Sequence, residues 1–230
     1  MKIKNILSDF DHVAYRHTEH CFKRQHHAAA VVAKAYFGIS YEDALDKTAQ
    51  SWNNHKNGFY FALKDHSNLV RNVGFDELYR QQASQSQDAQ NGIRCGETIR
   101  LINEISKKYP FIFASHSATL SVQFMGQALG INSALLEYGT YGIDRLGENG
   151  NARKDDMNSD VYPWLCRENG FCAQETVMIE DTAINLKGAK MKGLQTIHIH
   201  GGERIDEPYI DYRFETMREA LLFLRNQMRP

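Results

Sequence analysis

The chain lacks the features that mark several classes of protein. None of its 4 cysteines forms a Cys-x-x-Cys pair, which argues against a disulfide framework or a zinc knuckle. Its 27 basic residues nearly balance 28 acidic ones, without long runs of either sign, so nothing favours binding to a nucleic-acid polymer or a membrane surface. Apolar runs are too short to span a membrane, and Asp9 and Asp11 interrupt any signal-peptide core. We therefore expect a soluble, cytoplasmic protein.

What is present is the pattern of an α/β protein. Hydrophobic residues make up 42% of the 230 residues and charged ones 24%, as in a globular protein with a normal core. Short apolar runs alternate with segments of helical period, which is typical of βαβ units. We predict a Rossmann-like parallel sheet flanked by helices, with strands at Ile3–Ser8, Phe111–Ser115, Ala134–Tyr138, Thr176–Glu180 and Leu194–His198. Two segments show the i, i+4, i+7, i+11 spacing of an amphipathic helix: Ala118, Val122, Met125 and Leu129, ended by Gly130, and Met217, Leu221, Leu224 and Met228.

One segment breaks this alternation. Between the first two predicted strands the apolar positions follow two helical stripes, Phe22, His26, Ala29, Ala33 and Phe37, then Tyr41, Leu45, Thr48 and Trp52. Gly38 separates the stripes, and Ser40 is placed to cap the second helix. The sequence therefore predicts a helical cap at residues 15–92, inserted into a core formed by residues 1–14 and 93–230.

The strongest chemical signal is the pair Asp9 and Asp11, which ends the apolar run Ile6-Leu7-Ser8. Extended chain places alternate side chains on the same side, so both carboxylates emerge together at a strand end. One can act as a nucleophile and the other as a general acid and base, provided that a cation offsets their repulsion. The alternative is a solvated turn in which Asp11 caps a helix.

Three further polar positions fall where the sheet predicts neighbours of this pair. Ser115 follows the run Phe111–Ala114 and either donates to a phosphoryl oxygen or caps the next helix. Glu180 and Asp181 end another apolar run, where two adjacent acids favour Mg²⁺, although a helix N-terminus would explain one of them. Lys154, taken alone, fits a solvated surface lysine. His198 and His200 share one face of a strand, but the sequence offers no third ligand that would make them a metal site.

The order Asp9-x-Asp11-x-Val13, Ser115, Lys154, Glu180-Asp181 resembles the haloacid dehalogenase superfamily of phosphohydrolases over nearly the whole chain. The segment from Glu180 to Gly193 resembles that family's acidic pair with its Asn-containing helix. The resemblance implies that Asp9 is the nucleophile and Asp11 the acid and base. It also implies that Ser115 and Lys154 hold the phosphoryl group. Mg²⁺ would be bound by Asp9, Asp11, Glu180 and Asp181, with Asp11 offering its backbone carbonyl.

The implied activity is Mg²⁺-dependent hydrolysis of small phosphate monoesters through an aspartyl-phosphate. Related dehalogenases lack an aspartate at the position of Asp11, which argues against dehalogenation. The segment Trp52–Leu63 resembles the cap of pyrimidine 5′-nucleotidase-like members, which favours pyrimidine nucleoside 5′-monophosphates over other small phosphorylated metabolites. The alternatives are a broad-specificity sugar or metabolite phosphatase, a phosphosugar mutase, and a catalytically weak phosphate-binding or scaffold protein. The sequence departs from the family at His12, where relatives often have Gly or Asn, and at Asp155, where proline is common.

Overall fold

The computed structural model describes residues 3–15, 27, 30, 31, 33, 34, 37–55, 96–117, 119–147 and 153–228. The chain divides into two compact units, one made of residues 1–16, 95–122 and 130–230 and the other of residues 17–94 and 123–129. The predicted role of residues 15–92 as a cap stays a prediction. Phe22, His26, Ala29 and the side chains of Trp52–Leu63 lie outside the described residues.

The first unit is built on a parallel six-stranded sheet, as predicted. The strand order is β3-β2-β1-β4-β5-β6, and each neighbouring pair is parallel. The central strand β1 is buried along its whole length, because a parallel sheet is covered by helices on both faces. The strands are Asn5–Ser8 (β1), Phe111–Ala114 (β2), Thr140–Tyr141 (β3), Thr176–Glu180 (β4), Gln195–Ile199 (β5) and Tyr212–Phe214 (β6).

Helices follow most of the strands. They span Tyr41–His55 (α1), Gly96–Ser106 (α2), Thr119–Leu129 (α3), Ser133–Tyr138 (α4), Ile143–Gly147 (α5), Val161–Glu168 (α6), Ala183–Met191 (α7) and Met217–Gln227 (α8), with a 3₁₀ turn at Ala173–Glu175. Helix α7 packs on β4 and β5, and α8 packs on α2, β5 and β6. The predicted helices ending at Gly130 and beginning at Met217 are confirmed. No helix within the described ranges is long and apolar enough to cross a membrane.

The predicted strand Ala134–Tyr138 is wrong, because this run forms helix α4. The side chain of Asn132 accepts from the backbone N–H of Ala134 at 2.9 Å and caps the helix start. The apolar pair Leu135 and Leu136 is buried on one side of this helix. A short buried helix and a buried strand both leave a short apolar run in the sequence, so periodicity does not distinguish them. The third strand instead comes directly after, at Thr140–Tyr141.

The described part of the second unit is helical. The described positions from 27 to 37 are in a helix that ends at Gly38, whose φ of 63° is the left-handed conformation common after a helix. The hydroxyl of Ser40 accepts from the backbone N–H of Asp43 at 3.1 Å, which confirms the predicted cap of α1. The buried face of α1 is carried by Ala44, Thr48 and Ser51. Thr48 belongs to the predicted stripe, whereas Leu45 is exposed.

Candidate active site

The predicted site residues of the first unit lie at the carboxyl edge of the sheet. Strand β1 lies between β2 and β4, and the chain changes direction across the sheet at this point, where α/β proteins form their ligand crevices. Ser8 pairs with Phe113 on one side and with Ile179 on the other. The residues that follow Ser8, Phe113 and Ile179 are Asp9, Ala114 and Glu180. The ends of three segments that are distant in sequence therefore lie side by side.

A tight turn follows Asp9 and brings the chain back on itself. His12 has a φ of 57°, in the left-handed region. Histidine is among the residues that adopt this conformation more readily than most, after glycine and together with asparagine. The turn thus gives a physical reason why glycine, asparagine or histidine suits position 12. It lets the hydroxyl of Tyr15 reach back to Asp11.

Lys154 is the centre of the site, and its side chain is 1% exposed. Its Nζ donates to Asp9 Oδ1 at 2.8 Å, to Glu180 Oε2 at 2.7 Å and to the backbone carbonyl of Ala114 at 3.0 Å. These three acceptors use all three protons of the ammonium group. Taken singly, Lys154 fits a surface lysine, whereas the family resemblance predicts it in the site. Its burial is compensated by the two carboxylates.

Electrostatics at the site are dominated by burial. Burial raises the pKa of Asp9 well above its ordinary value, and the charge of Glu180 adds to the rise. Burial also raises the pKa of Glu180, to about 7, and that of Asp181. For Lys154 burial acts downward, but Asp9 and Glu180 together act more strongly, so its pKa is raised and the ammonium stays charged. Three acids thus share one cation.

The acids form a group that fits the predicted metal ion. Asp9, Glu180 and Asp181 each offer a carboxylate oxygen, and these atoms lie within 4.8 Å of one another. When all three are ionised, the single ammonium of Lys154 leaves two negative charges uncompensated. A set of oxygen ligands with this charge suits Mg²⁺, which is bound by one or two carboxylates together with water and substrate oxygens.

Asp11 occupies a separate position, in which hydroxyl groups surround its carboxylate. Oδ1 accepts from Tyr15 Oη at 2.8 Å, and Oδ2 accepts from Ser117 Oγ at 2.7 Å and from Ser115 Oγ at 3.1 Å. The Ser115 hydroxyl in turn accepts from the backbone N–H of Ser117 at 3.0 Å. Ser115 is therefore oriented by Asp11, while its role toward a phosphoryl group stays a prediction, as does the backbone ligand role of Asp11.

Sequence reasoning missed several neighbours of these residues. Ser117 and Tyr15 hold Asp11, and the Nε2 atom of His116 accepts from the backbone N–H of Lys154 at 3.2 Å. Ser117 follows Ser115 at the same i, i+2 spacing that made Asp9 and Asp11 conspicuous, so this signal was available. The contact between His116 and Lys154 joins positions 38 residues apart and has no local signal.

Gly188 of α7 lies against the backbone of Lys154. A Cβ atom at this position would stand 3.1 Å from the Lys154 carbonyl oxygen and 3.4 Å from the ring of Tyr162. Tyr162 is itself buried, and its hydroxyl donates to the carbonyl of Asn185 at 2.8 Å. Helix α7 therefore supports the loop that carries Lys154, and the absence of a side chain at Gly188 permits the close approach.

We expect Gly188→Ala to lower the stability of the protein by about 1–2 kcal/mol, since a methyl group must be fitted against a backbone carbonyl. The predicted phosphohydrolase activity should fall as well, because Lys154 shifts with its loop. The matched control is Gly96→Ala in α2, where a Cβ meets nothing within 4 Å. Urea denaturation of both variants measures the effect, and equal stability of the two would contradict this role of Gly188.

Comparison with known proteins identifies the fold. No family model matches the sequence, and no curated protein matches it. Among solved structures, a HAD phosphatase from Thermococcus onnurineus is 15% identical, with a TM-score of 0.64, and the match covers 96% of this chain and 98% of that one. The chain has the fold of the haloacid dehalogenase superfamily.

Two further structures show what this fold can carry. CbbY from Rhodobacter sphaeroides, solved in complex with phosphate, is 16% identical with a TM-score of 0.60, and the match covers 95% of this chain and 96% of that one. An L-2-haloacid dehalogenase is 14% identical with a TM-score of 0.53, and here the match covers 98% and 100%. At these identities the likeness concerns the fold, so the reaction has to be argued from the residues of this chain.

Proposed function

We propose that the protein is a Mg²⁺-dependent phosphohydrolase that cleaves small phosphate monoesters through an aspartyl-phosphate on Asp9. The observation that supports this proposal best is that two aspartates only two residues apart have different surroundings. Asp9 shares the ammonium of Lys154 with Glu180, beside a group of acids that fits a divalent cation. Asp11, two residues on, is held separately by three hydroxyl groups.

Each residue then has a distinct task. Mg²⁺, held by Asp9, Glu180 and Asp181, would offset the negative charge of the phosphoryl group. The Asp9 carboxylate attacks phosphorus in line with the leaving oxygen, and Lys154 stabilises the charge that develops. In its protonated form Asp11 gives a proton to the departing alkoxide. The resulting carboxylate, which the three hydroxyl groups stabilise, afterwards takes a proton from the water that hydrolyses the acyl phosphate.

The arrangement around Asp11 favours a phosphatase over a dehalogenase. An alkoxide is a poor leaving group and needs a proton, whereas a halide leaves without one. Ser115, Ser117 and Tyr15 hold a second carboxylate two residues after the nucleophile, for which halide displacement has no use. The structural likeness to a dehalogenase therefore concerns the scaffold.

Phosphate release from a generic aryl phosphate, with and without Mg²⁺, tests the proposal. We expect release that depends on Mg²⁺ and no halide release from a 2-haloacid. A protein that binds phosphate but turns over no ester would point to the scaffold alternative. A product that is an isomer of a sugar phosphate, without free phosphate, would point to a mutase.

For the substrate we propose pyrimidine nucleoside 5′-monophosphates. The support is the resemblance of the segment Trp52–Leu63 to the cap of pyrimidine 5′-nucleotidase-like proteins, since selectivity beyond the phosphate has to come from outside the core motifs. A screen of nucleotides, sugar phosphates and short-chain phosphates tests it. Preference for UMP or CMP supports the proposal, and a flat profile supports the broad-specificity alternative.

The metal site leads to a prediction about pH. We expect Mg²⁺ to raise the Tm, and to raise it more at pH 8 than at pH 6. Burial raises the pKa of Glu180 to about 7, so protons compete with the metal below this pH. Because the carboxyl pKa is raised in the folded protein, the free energy of unfolding without metal falls as the pH rises toward and through 7 and the buried acid ionises. Bound Mg²⁺ would offset this loss by compensating the negative charge. Calorimetry at both pH values, with NaCl at matched ionic strength as control, measures the difference; equal shifts would count against this coupling.

A further inference from the structure

A buried histidine on the neighbouring strand contacts the backbone of Asp181, one of the three acids of the proposed metal site. His198 lies in β5, opposite Glu180 of β4 in the sheet register, and is 1% exposed. Its Nε2 atom is 2.9 Å from the backbone carbonyl oxygen of Asp181. The proposed phosphatase chemistry does not use this side chain.

The contact determines the proton position on His198. A carbonyl oxygen only accepts hydrogen bonds, so Nε2 carries the proton and donates it. The other ring nitrogen, Nδ1, is buried and has no hydrogen-bond partner among the described residues. Burial lowers the pKa of His198, in agreement with a neutral ring that carries one proton. Within the part of the chain that the structure describes, the ring therefore makes one hydrogen bond, to the backbone carbonyl of Asp181.

This hydrogen bond holds the backbone at the turn between β4 and α7. Asp181 follows the last residue of β4, where the chain leaves the sheet and turns into α7. The backbone N–H of Thr182 lies 3.3 Å from Glu180 Oε1, so the same turn is also tied to the neighbouring acid. Fixing the Asp181 carbonyl fixes the peptide plane from which the carboxylate of Asp181 projects toward Asp9 and Glu180.

We infer that His198 is a positioning residue for the metal site: its Nε2–H holds the Asp181 peptide so that the carboxylates of Asp181, Glu180 and Asp9 can bind one divalent cation. The inference rests on the proposed function. Partners behind metal ligands commonly set ligand orientation and so affinity. The buried, unpaired Nδ1 costs free energy, and among the described residues the hydrogen bond from Nε2 is the polar contact that offsets the burial of this ring. A ligand role for His198 with His200 has no support, since the described acids and histidines group for a metal at Asp9, Glu180 and Asp181.

Mg²⁺ binding without substrate, measured by titration calorimetry and by the Mg²⁺-dependent rise in Tm, tests the inference in three variants. His198→Leu removes the donor, His198→Asn keeps an amide that is too short, and His198→Gln places an amide N–H near the position of Nε2. We expect the Leu and Asn variants to bind Mg²⁺ on the order of 10-fold more weakly and the Gln variant to stay close to wild type.

The control is Ile197→Val, a buried change on the opposite face of the same strand, which should lower the Tm and leave Mg²⁺ affinity unchanged. If His198→Leu does not fold, the comparison of Gln with Asn decides. Unchanged affinity in the Leu and Asn variants, or equal loss in Gln and Asn, overturns the inference alone. A wild-type protein that binds no Mg²⁺ overturns it together with the metal site of the proposed function.

Discussion

Asp9→Asn is expected to reduce phosphate release by at least about 10⁴-fold, the scale on which nucleophile substitutions act. An amide cannot attack to form an acyl phosphate. The fold should survive the change, because Lys154 keeps Glu180 and the Ala114 carbonyl as partners. Burial raises the pKa of Asp9, so the ionised side chain is costly at neutral pH and a neutral amide removes that cost.

Steady-state phosphate release and the metal-free Tm measure the two halves of this prediction. Asp206→Asn is the matched control, since Asp206 is an exposed partner of Arg213 on a surface loop. Turnover that persists in Asp9→Asn at more than a trace would mean that another residue is the nucleophile. A large fall in Tm would mean that the loss of activity reflects unfolding.

Asp11→Asn is expected to retain Mg²⁺ binding while turnover falls by on the order of 10²- to 10⁴-fold, the range for lost general acid and base help. The carboxylate of Asp11 lies outside the three-acid group, so its neutralisation leaves that group intact. An asparagine can still accept from Ser117 or Tyr15 with its carbonyl oxygen, which should keep the local structure. The Mg²⁺-dependent rise in Tm reports binding independently of turnover.

The leaving group sharpens this second test. An aryl oxide needs little help from a general acid, whereas an alkoxide needs a proton. The Asp11→Asn variant should therefore lose more with an alkyl phosphate than with an aryl phosphate. With the aryl ester it should release a rapid burst of phenol, because hydrolysis of the aspartyl-phosphate still lacks its base. Equal loss of Mg²⁺ binding and turnover would show that the role of Asp11 has been misread.

Much of the fold could be predicted because parallel strands with both faces buried leave continuous apolar runs. Thr176–Glu180 is an example whose predicted and observed limits agree. Short edge elements leave weaker signals. Strand β6, Tyr212–Phe214, is half-buried and three residues long, and β3 has two residues, so neither makes a recognisable run. The helix at Ser133–Tyr138 was mistaken for a strand because six residues are too few to show a helical period.

The residues alone pointed to the candidate site where they end strands, whereas Lys154 was predicted only through the resemblance to a known family. Asp9, Ser115 and Glu180 are conspicuous because a polar residue interrupts an apolar run. Lys154 follows no strand, and its place in the site depends on a contact with Asp9 across 145 residues of chain. His198 was conspicuous in the sequence, but its contact with Asp181 could not be predicted, since a histidine within an apolar strand does not indicate which way its ring nitrogens point.

The position of β1 in the sheet has a consequence for how the chain folds during synthesis. One edge of β1 pairs with β4, and the hydrogen bond between Asn5 and Thr176 joins residues 171 positions apart. At ribosomal rates of about 5–20 residues per second, roughly 10–30 s separate the emergence of the two strands. During this time one edge of β1 has no native partner, although its side chains are among the most buried in the finished protein. Unpaired apolar edges are prone to aggregation, so a nascent chain halted before residue 176 should depend on chaperones far more than one released after residue 199.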